Sequence, residues 1–367
     1  MIRSPAVWLI SGLLLWSKSP ASAGESAPAP ATPTIDVSTS MAVRDHHLPK
    51  CAFDSTGQTY FLTHDGVKVG DDFTVLLPPG LPVTGVTVCT GISDHTHQVT
   101  HGALEVSSDG TTFTPAAPFS GGTASTTAPT GSIRAFRLIV SEADPSALAI
   151  AKITLAGVST LPPVRFRTRF VTDYQQAPEA KAFAETCKAL CEEWYPTFSD
   201  LFDTPEAPPQ RSVVRLFFDL NKGVAYATTA GDGISEIHVS KIWAVEHPDD
   251  TALIIHESFH IVQGYSGVAG HNNLGWLTEG LADYVRNRLF KPREIRPDPN
   301  KAKYTDSYQT TAAFLMWLED HKKKGICLKL NAAMRIPNSQ VLDVFRTETG
   351  QDIDSLWSEY TTFLRQG

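Results

Sequence analysis

The feature that most constrains this chain is an HExxH pentapeptide, HESFH at 256–260, within an apolar stretch of helical spacing. His256 and His260 are four positions apart, so they project from one face of a helix and can bind the same metal ion. Glu257 lies about 100° around that helix from His256, so its carboxylate can reach a water on the metal without being a ligand. The motif predicts a zinc site with Glu257 as general base.

A second motif downstream supplies the remaining ligand. A catalytic zinc needs three protein ligands and one open position. Eighteen residues separate His260 from Glu279, and the segment 275–286 again has helical character. The two helices can pack side by side, so we predict that His256, His260 and Glu279 bind one zinc ion. Asp283 follows one helical turn later, where it can accept the outer N–H of a ligand imidazole and fix its orientation.

These motifs resemble those of the gluzincin metallopeptidases, in which two histidines and a downstream glutamate bind zinc. The closer resemblance is to the peptidases of the basic secretory protein family, over roughly residues 164–365. The segments that carry it are WYP at 194–196, GVAY at 223–226, IHVS at 237–240, HESFHIVQ at 256–263, WLTEGLADYVR at 276–286 and SYQTTAAFL at 307–315. The resemblance implies a zincin-like α+β metallopeptidase domain over residues 164–367.

The resemblance also implies a strand for substrate binding. In zincins, the strand that borders the cleft binds extended peptide by β-addition. IHVS at 237–240 is our candidate, which makes Ile237, His238 and Val239 the predicted substrate-binding residues. An ordinary strand inside the sheet fits the same pattern.

A hydrogen-bond donor is also expected on the cleft wall. Peptide hydrolysis develops an oxyanion that zinc alone stabilises incompletely. We predict that Tyr308 is this catalytic donor, because it begins a predicted helix within the SYQTTAAFL segment. Tyr304 and His271 are the further candidates, and a purely structural tyrosine remains the alternative.

The N-terminus has the pattern of an export signal. Arg3, an apolar run at 6–16 and Ala21-Ser22-Ala23 predict a signal peptide over residues 1–23, cleaved near Ala23. The mature protein would be extracellular or periplasmic. Residues 24–49 include an Ala- and Pro-rich run that predicts an unstructured linker. No later segment approaches about 18 consecutive apolar residues, so we expect no transmembrane segment.

Residues 50–158 have short alternating runs separated by turn signals, which predicts a β-sandwich. LEVSSDGTTF at 104–113 and IRAFRLIV at 133–140 resemble the discoidin, or galactose-binding-like, jelly rolls. The resemblance implies a surface that binds a glycan or the cell envelope, with a spacer domain as the alternative. The Pro-containing segment 159–164 is the predicted boundary. The predicted fold is therefore multidomain, a jelly-roll β-sandwich followed by a zincin-like domain.

The net charge limits the possible binding partners, and the cysteine positions limit the possible disulfides. The formal net charge of −8 excludes nucleic acid as a partner, which would require a basic patch. Cys187 and Cys191 belong to an apolar helical stripe, so we predict core residues there rather than a bridge or a metal pair. Cys51 and Cys89 are the candidates for a disulfide in the N-terminal domain, and the pairing of Cys327 stays open.

Together these observations predict a secreted zinc peptidase that hydrolyses a peptide or protein substrate through a zinc-bound water activated by Glu257. The upstream Gly-x-Met-Glu-Asn stretch of aminopeptidases with the same eighteen-residue gap is absent, which favours an endopeptidase. Two alternatives remain. One is a catalytically silent surface-binding protein with a structural zinc, and the other is a zinc amidase acting on cell-wall peptide.

Overall fold

The computed structural model describes residues 33–366 apart from 45–46, 55–57, 205–206, 208–209, 222, 230–233, 266–267 and 272. The predicted signal peptide and residues 24–32 of the predicted linker lie outside the described residues. Within the described ranges, no helix is both long and apolar enough to cross a bilayer.

The first sheet of the N-terminal region has six strands: β1 (Ile35–Thr39), β3 (Asp72–Leu76), β5 (Gly102–Ser107), β6 (Thr114–Pro118), β8 (Ala135–Val140) and β10 (Val164–Phe166). Their order across the sheet is β10-β1-β3-β8-β5-β6. All of its pairs are antiparallel except β1 with β10. Buried and less buried positions alternate along β1, as expected where one face of a strand packs on a core.

The second sheet has four antiparallel strands: β2 (Phe61–Val67), β4 (Gly85–Thr90), β7 (Thr123–Thr127) and β9 (Asp144–Ala156). Their order across the sheet is β2-β9-β4-β7. Apolar side chains of both sheets, including Val37, Val75, Val88 and Ile153, form one shared core. This arrangement confirms the predicted β-sandwich.

The start of the sandwich differs from the expectation. Residues 35–49 were assigned to an unstructured linker, whereas Ile35–Thr39 form β1 inside the first sheet. Ile35 and Val37 are fully buried, which explains why this short segment is ordered despite its Pro- and Thr-rich surroundings. The assignment of Ile35–Thr39 to an unstructured linker was therefore wrong.

The C-terminal region contains a third sheet, separate from the two sheets of the sandwich. The segment VRFRTRFV at 164–171 is divided between two sheets, because β10 ends at Phe166 and β11 (Arg169–Asp173) belongs to a different sheet. That sheet has the order β11-β12-β14-β13, with β12 (Val213–Asp219), β13 (Ala225–Thr229) and β14 (Ser235–Ser240). β11, β12 and β14 are mutually parallel, and β13 forms an antiparallel pair with β14.

Eight α-helices of the described residues complete the C-terminal region. They are α1 (Lys181–Leu201), α2 (Lys241–Glu246), α3 (Leu253–Gln263), α4 (Gly275–Tyr284), α5 (Tyr308–His321), α6 (Ile326–Met334), α7 (Asp343–Thr349) and α8 (Ile353–Gln366). Their apolar faces and one face of the sheet form a core separate from that of the sandwich. The mixed α/β region after the sandwich confirms the predicted fold class.

Two helices of this region depart from regular α-helical geometry or composition. Helix α1 runs through Pro196, and Tyr195 and Phe198 on either side of this proline are buried in the core. The helix predicted at 275–286 is α-helical only to Tyr284 and continues as a π-helix over Val285–Phe290.

The cysteines follow the prediction for Cys187 and Cys191, which are fully buried core residues. The candidate disulfide between Cys51 and Cys89 is not formed in the structure. Burial raises the pKa of the Cys187 and Cys191 thiols well above the ordinary value, which keeps them protonated and unreactive.

Charged side chains join the two regions where the chain passes between them. The guanidinium of Arg169 on β11 donates two hydrogen bonds of 2.6 Å to the carboxylate of Asp72 on β3. Arg165 and Arg167 both donate to Asp36 on β1, at 2.9–3.1 Å. Because side chains alternate along an extended chain, three arginines at every second position reach carboxylates on the same outer face of the first sheet.

Candidate functional site

The helix α3 that carries HESFH is held on nearly every side by the core. Ile254, Ile255 and Phe259 are fully buried against neighbouring elements, which leaves the His256 and His260 side as the face toward the cleft. The helix ends at Gly264, whose φ of 64° is in the left-handed region and whose N–H donates to His260 O at 3.2 Å. A side chain at this position would strain that turn.

The three predicted ligands lie together between two packed helices, α3 and α4. Glu279 on α4 places its Oε2 3.0 Å from His256 Nε2 and 3.4 Å from His260 Nε2. The three ligand atoms all lie within 4.8 Å of one another. Tetrahedral bonds of about 2.0–2.2 Å separate neighbouring ligands by roughly 3.3 Å, so the two imidazole–carboxylate distances suit a zinc ion.

Each of the two histidines is oriented by a hydrogen bond at its Nδ1 atom. His256 Nδ1 donates to Asp283 Oδ1 at 2.8 Å, and both residues are buried. His260 Nδ1 donates to Gln263 Oε1 at 2.7 Å, and the amide of Gln263 in turn donates to Thr278 O on α4. These bonds leave both Nε2 atoms facing Glu279, as an outer shell around a metal site requires.

Asp283 was predicted from the sequence, whereas Gln263 was not. The signal was present, since Gln263 follows His260 by three positions and such pairs are neighbours on a helix. Arg335 was not predicted either; this buried arginine donates to the terminal carbonyls of Val262 and Gln263 on α3. Nothing in the local sequence of Arg335 indicates this contact, because it comes from a residue 72 positions away.

The electrostatics of the site favour a positive charge between these groups. Burial alone would lower the pKa of His256, but the carboxylates of Asp283 and Glu279 outweigh it and raise the pKa to about 9. Burial would likewise raise the pKa of Glu279, but hydrogen bonds from His256 and His260 lower it to about 2. A carboxylate that stays ionised beside two imidazoles is the charge pattern that a divalent cation prefers.

Glu257 lies in the same cleft but outside the donor set. Its side chain is 9 % exposed, and it lines the cleft together with the three predicted ligands. Burial raises its pKa above the ordinary glutamate value, against the opposing influence of the two histidines. A carboxylate with a raised pKa is better matched to accept and return a proton near neutral pH.

Close packing of α4 on α5 sets the position of both Glu279 and Tyr308. Gly280 lies against Thr311, and a Cβ at Gly280 would come within 2.1 Å of Thr311 Cγ2. Gly280 is next to Glu279 in the chain, and Tyr308 begins α5. The missing side chain therefore allows the two helices to approach closely at the level of the site.

The three candidates for the oxyanion donor have different positions. Tyr308 lines the cleft, and its ring centroid lies 6.0 Å from that of His256. The negative charge of Glu279, together with burial, raises the pKa of Tyr308, so its hydroxyl keeps its proton as a donor. Tyr304 packs on Trp276 and donates to Asp354, and His271 is buried against Ile336 O. Of the three candidates, only Tyr308 is among the cleft-lining residues.

The cleft has a volume of about 760 Å³ and is bordered by β13 rather than by the predicted strand. β14 is paired with β12 on one side and β13 on the other, and Ile237 and Val239 are fully buried. His238 is packed between neighbouring rings. The prediction of 237–239 as the cleft-edge segment is therefore wrong, because a strand paired on both sides cannot add another.

The edge strand itself has open backbone groups. Ser240 N–H donates to Val224 O at 2.8 Å, and bonding alternates along an antiparallel ladder. The N–H and C=O groups of Tyr226 and Thr228 therefore point to β14, and those of Ala225 and Ala227 point away from it. The strand thus presents backbone donors and acceptors to the cleft.

Comparison with known families identifies the C-terminal region. Residues 156–360 match the model of a peptidase family found in plants and bacteria. The match covers more than half of the chain, and the protein therefore belongs to this family, BSP, described as "Peptidase of plants and bacteria". No curated protein sequence matches the chain.

Comparison with solved structures finds matches to the N-terminal region. One is the module CBM32-1 of a family 31 glycoside hydrolase from Clostridium perfringens, at 14% identity, with 32% of this chain and 91% of that chain covered and a TM-score of 0.28. Another Clostridium perfringens module, in complex with GalNAc-β-1,3-galactose, matches at 17% identity, 32% and 92% coverage and a TM-score of 0.28. A chitosan-binding module from Paenibacillus sp., in complex with chitotriose, matches at 14% identity, 33% and 95% coverage and a TM-score of 0.28.

Proposed function

We propose that this protein is a secreted, single-zinc peptidase whose metal is held by His256, His260 and Glu279. The observation that carries the proposal is the convergence of these three ligand atoms within 4.8 Å, in a cleft that also contains Glu257. Membership of a peptidase family supports the reaction class. A zinc ion bound there would polarise the peptide carbonyl and lower the pKa of a water molecule towards about 7.

The residues of the chain would then share the remaining work. Glu257 accepts the proton of the attacking water and returns it to the leaving amine. Tyr308 donates its hydroxyl hydrogen to the developing oxyanion. Asp283 and Gln263 hold the two imidazoles in place, and β13 binds the extended substrate through the backbone of Ala225 and Ala227.

The test compares wild type with Glu257→Gln, in zinc content and in cleavage of a broad peptide mixture. Glu257 is outside the donor set, so the variant should retain one zinc per chain and lose cleavage by at least about a hundredfold. The matched control is Glu246→Gln, a glutamate on α2 that is not among the residues lining the cleft, which should cleave as wild type does. Equal cleavage by wild type and Glu257→Gln would refute the proposal.

The same experiment separates the alternatives. A silent zinc protein would bind the metal and cleave nothing in either form. A cell-wall amidase would release fragments from a cell-wall digest and leave ordinary peptides intact. An endopeptidase would cut within peptides whose termini are blocked.

We also propose that the N-terminal sandwich binds the enzyme to a glycan or envelope surface. The support is the sequence resemblance to galactose-binding-like domains. A sedimentation assay of the full chain with insoluble polysaccharides and with isolated cell envelopes tests it. A protein that stays in the supernatant with every one of these surfaces would leave the sandwich as a spacer.

A further inference from the structure

Three aromatic rings form a row across the face of the C-terminal sheet that is turned away from α3. The strand register aligns Phe217 on β12 with His238 on β14, and His238 with Tyr226 on β13. The Phe217 and His238 ring centroids are 4.9 Å apart at an interplanar angle of 15°, and those of His238 and Tyr226 are 4.7 Å apart at 6°. The rings are thus nearly parallel plates at the spacing of neighbouring strands.

The middle ring is fixed by carboxylates on both edges. His238 Nδ1 lies 2.6 Å from Asp219 Oδ2, and His238 Nε2 lies 3.4 Å from Glu236 Oε2. Glu236 also accepts a hydrogen bond of 3.2 Å from Arg215. The imidazole cannot turn without breaking these contacts, so it supports the Tyr226 ring from behind.

Tyr226 is the end of this row on the side of the cleft. It lies on the edge strand β13, lines the cleft and is 45% exposed. One face of its ring stacks on His238. No further strand of the described residues lies beyond β13 in this sheet, so the outer face of the ring is open to whatever pairs with the edge.

We propose that Tyr226 selects substrates with a flat side chain, aromatic or arginine, at the position opposite it; this inference rests on the proposed peptidase function. A peptide that pairs antiparallel with the backbone of Ala225 and Ala227 places its residue opposite Tyr226 in a non-hydrogen-bonded pair, with Cα atoms about 4.5 Å apart. Its side chain then stands on the same face and continues the row.

The physical basis of the preference is stacking. An aromatic ring or a guanidinium plane can lie parallel to the tyrosine ring at the strand spacing, and both interact favourably with its π face. A puckered or tetrahedral group of the same size and hydrophobicity cannot lie as close. Shape, rather than hydrophobicity, therefore separates the preferred side chains from the others.

The test uses alanine-based hexapeptides with blocked ends, in which one position at a time carries Phe, cyclohexylalanine, Arg or Lys. For wild type, one position should favour Phe over cyclohexylalanine and Arg over Lys, roughly 2- to 13-fold in kcat/KM. Tyr226→Leu should abolish both preferences at that position, and Tyr226→Phe should retain them. Val171→Ala is the matched control, since Val171 is 50% exposed on the opposite edge strand β11.

The outcomes separate this inference from the proposed function. If cleavage depends on Glu257 but Tyr226→Leu keeps both preferences, the inference fails and the peptidase stands. If wild type cleaves nothing, the proposed peptidase function fails. Binding then decides the inference, measured as the affinities of fluorescein-labelled forms of the same peptides for the Glu257→Gln variant. Equal affinity for the Phe and cyclohexylalanine peptides at every position then overturns it, and a difference that Tyr226→Leu removes supports it.

Discussion

The contact between His256 and Asp283 offers the most direct test of the proposed zinc site. His256 is 6% and Asp283 4% exposed, and their hydrogen bond of 2.8 Å joins α3 to α4. A hydrogen bond to a charged group contributes about 1.5–3 kcal/mol. Outer-shell partners of metal ligands contribute about 10- to 100-fold in metal affinity, which corresponds to roughly 1.4–2.7 kcal/mol. The free energy expected for this hydrogen bond and the free energy expected for the loss of metal affinity are therefore similar in size.

Two substitutions divide this contribution. Asp283→Asn keeps an oxygen that accepts from His256 Nδ1 but removes the charge, so we expect about a tenfold loss of zinc affinity. Asp283→Ala removes the acceptor as well, so we expect about a hundredfold loss. The measurement is competition with a chromophoric chelator at fixed pH, with circular dichroism to confirm that each variant is folded. Asp320→Asn is the control, because Asp320 pairs with Arg288 at the surface.

Thermal unfolding gives a second measure of the same loss. At a zinc concentration about 100 times the wild-type Kd, zinc stabilises the fold by about 2.7 kcal/mol. A hundredfold weaker site at that concentration retains only about 0.4 kcal/mol. Zinc affinity and zinc-dependent stabilisation that are the same in Asp283→Ala and wild type would refute the reasoning.

Four further predictions concern the helices, the junction between the regions and the metal. Gly280→Ala should destabilise the protein by about 1–3 kcal/mol in denaturant unfolding, because its Cβ would overlap Thr311, whereas Gly275→Ala in the same helix meets no neighbour and should be neutral. Arg169→Leu should lower the unfolding free energy by about 2 kcal/mol, because it leaves the buried carboxylate on β3 without its partner; no loss would mean that the junction contributes nothing. Gln263→Ala should weaken zinc binding about tenfold in the chelator assay, and unchanged binding would exclude an orienting role. Dialysis against a chelator should lower Tm, and zinc alone should restore it, whereas a Tm that ignores chelation would argue against a bound metal.

Local spacing was sufficient to predict most of the side chains that converge at the candidate metal site. His256 and His260 are brought together by the geometry of one helix, so four positions of sequence determine their relation. A contact between Asp283 and one of the two histidines was also predicted, because Glu279 and Asp283 are one turn apart on α4 and are carried together to the same place; the structure shows that this histidine is His256. The alternation of apolar residues similarly predicted the sandwich, since each strand has one face on the core.

The errors came from features that have no local signal. Strand order in a sheet depends on which strands pair, and the alternation of IHVS at 237–240 is the same for an edge strand and an interior one, so β13 rather than β14 borders the cleft. β1 is ordered because its two apolar side chains complete a core made by distant strands.

The sequence by itself determined which side chains could bind a metal, because that depends on residue type and on spacing within single helices. Only the tertiary structure decided three relations. β13 is the strand that borders the cleft, Tyr226 is the last ring of the aromatic row, and Arg335 binds the terminal carbonyls of α3. These are relations between segments far apart in the chain, and they follow from packing free energy summed over the whole core rather than from the preference of any one segment.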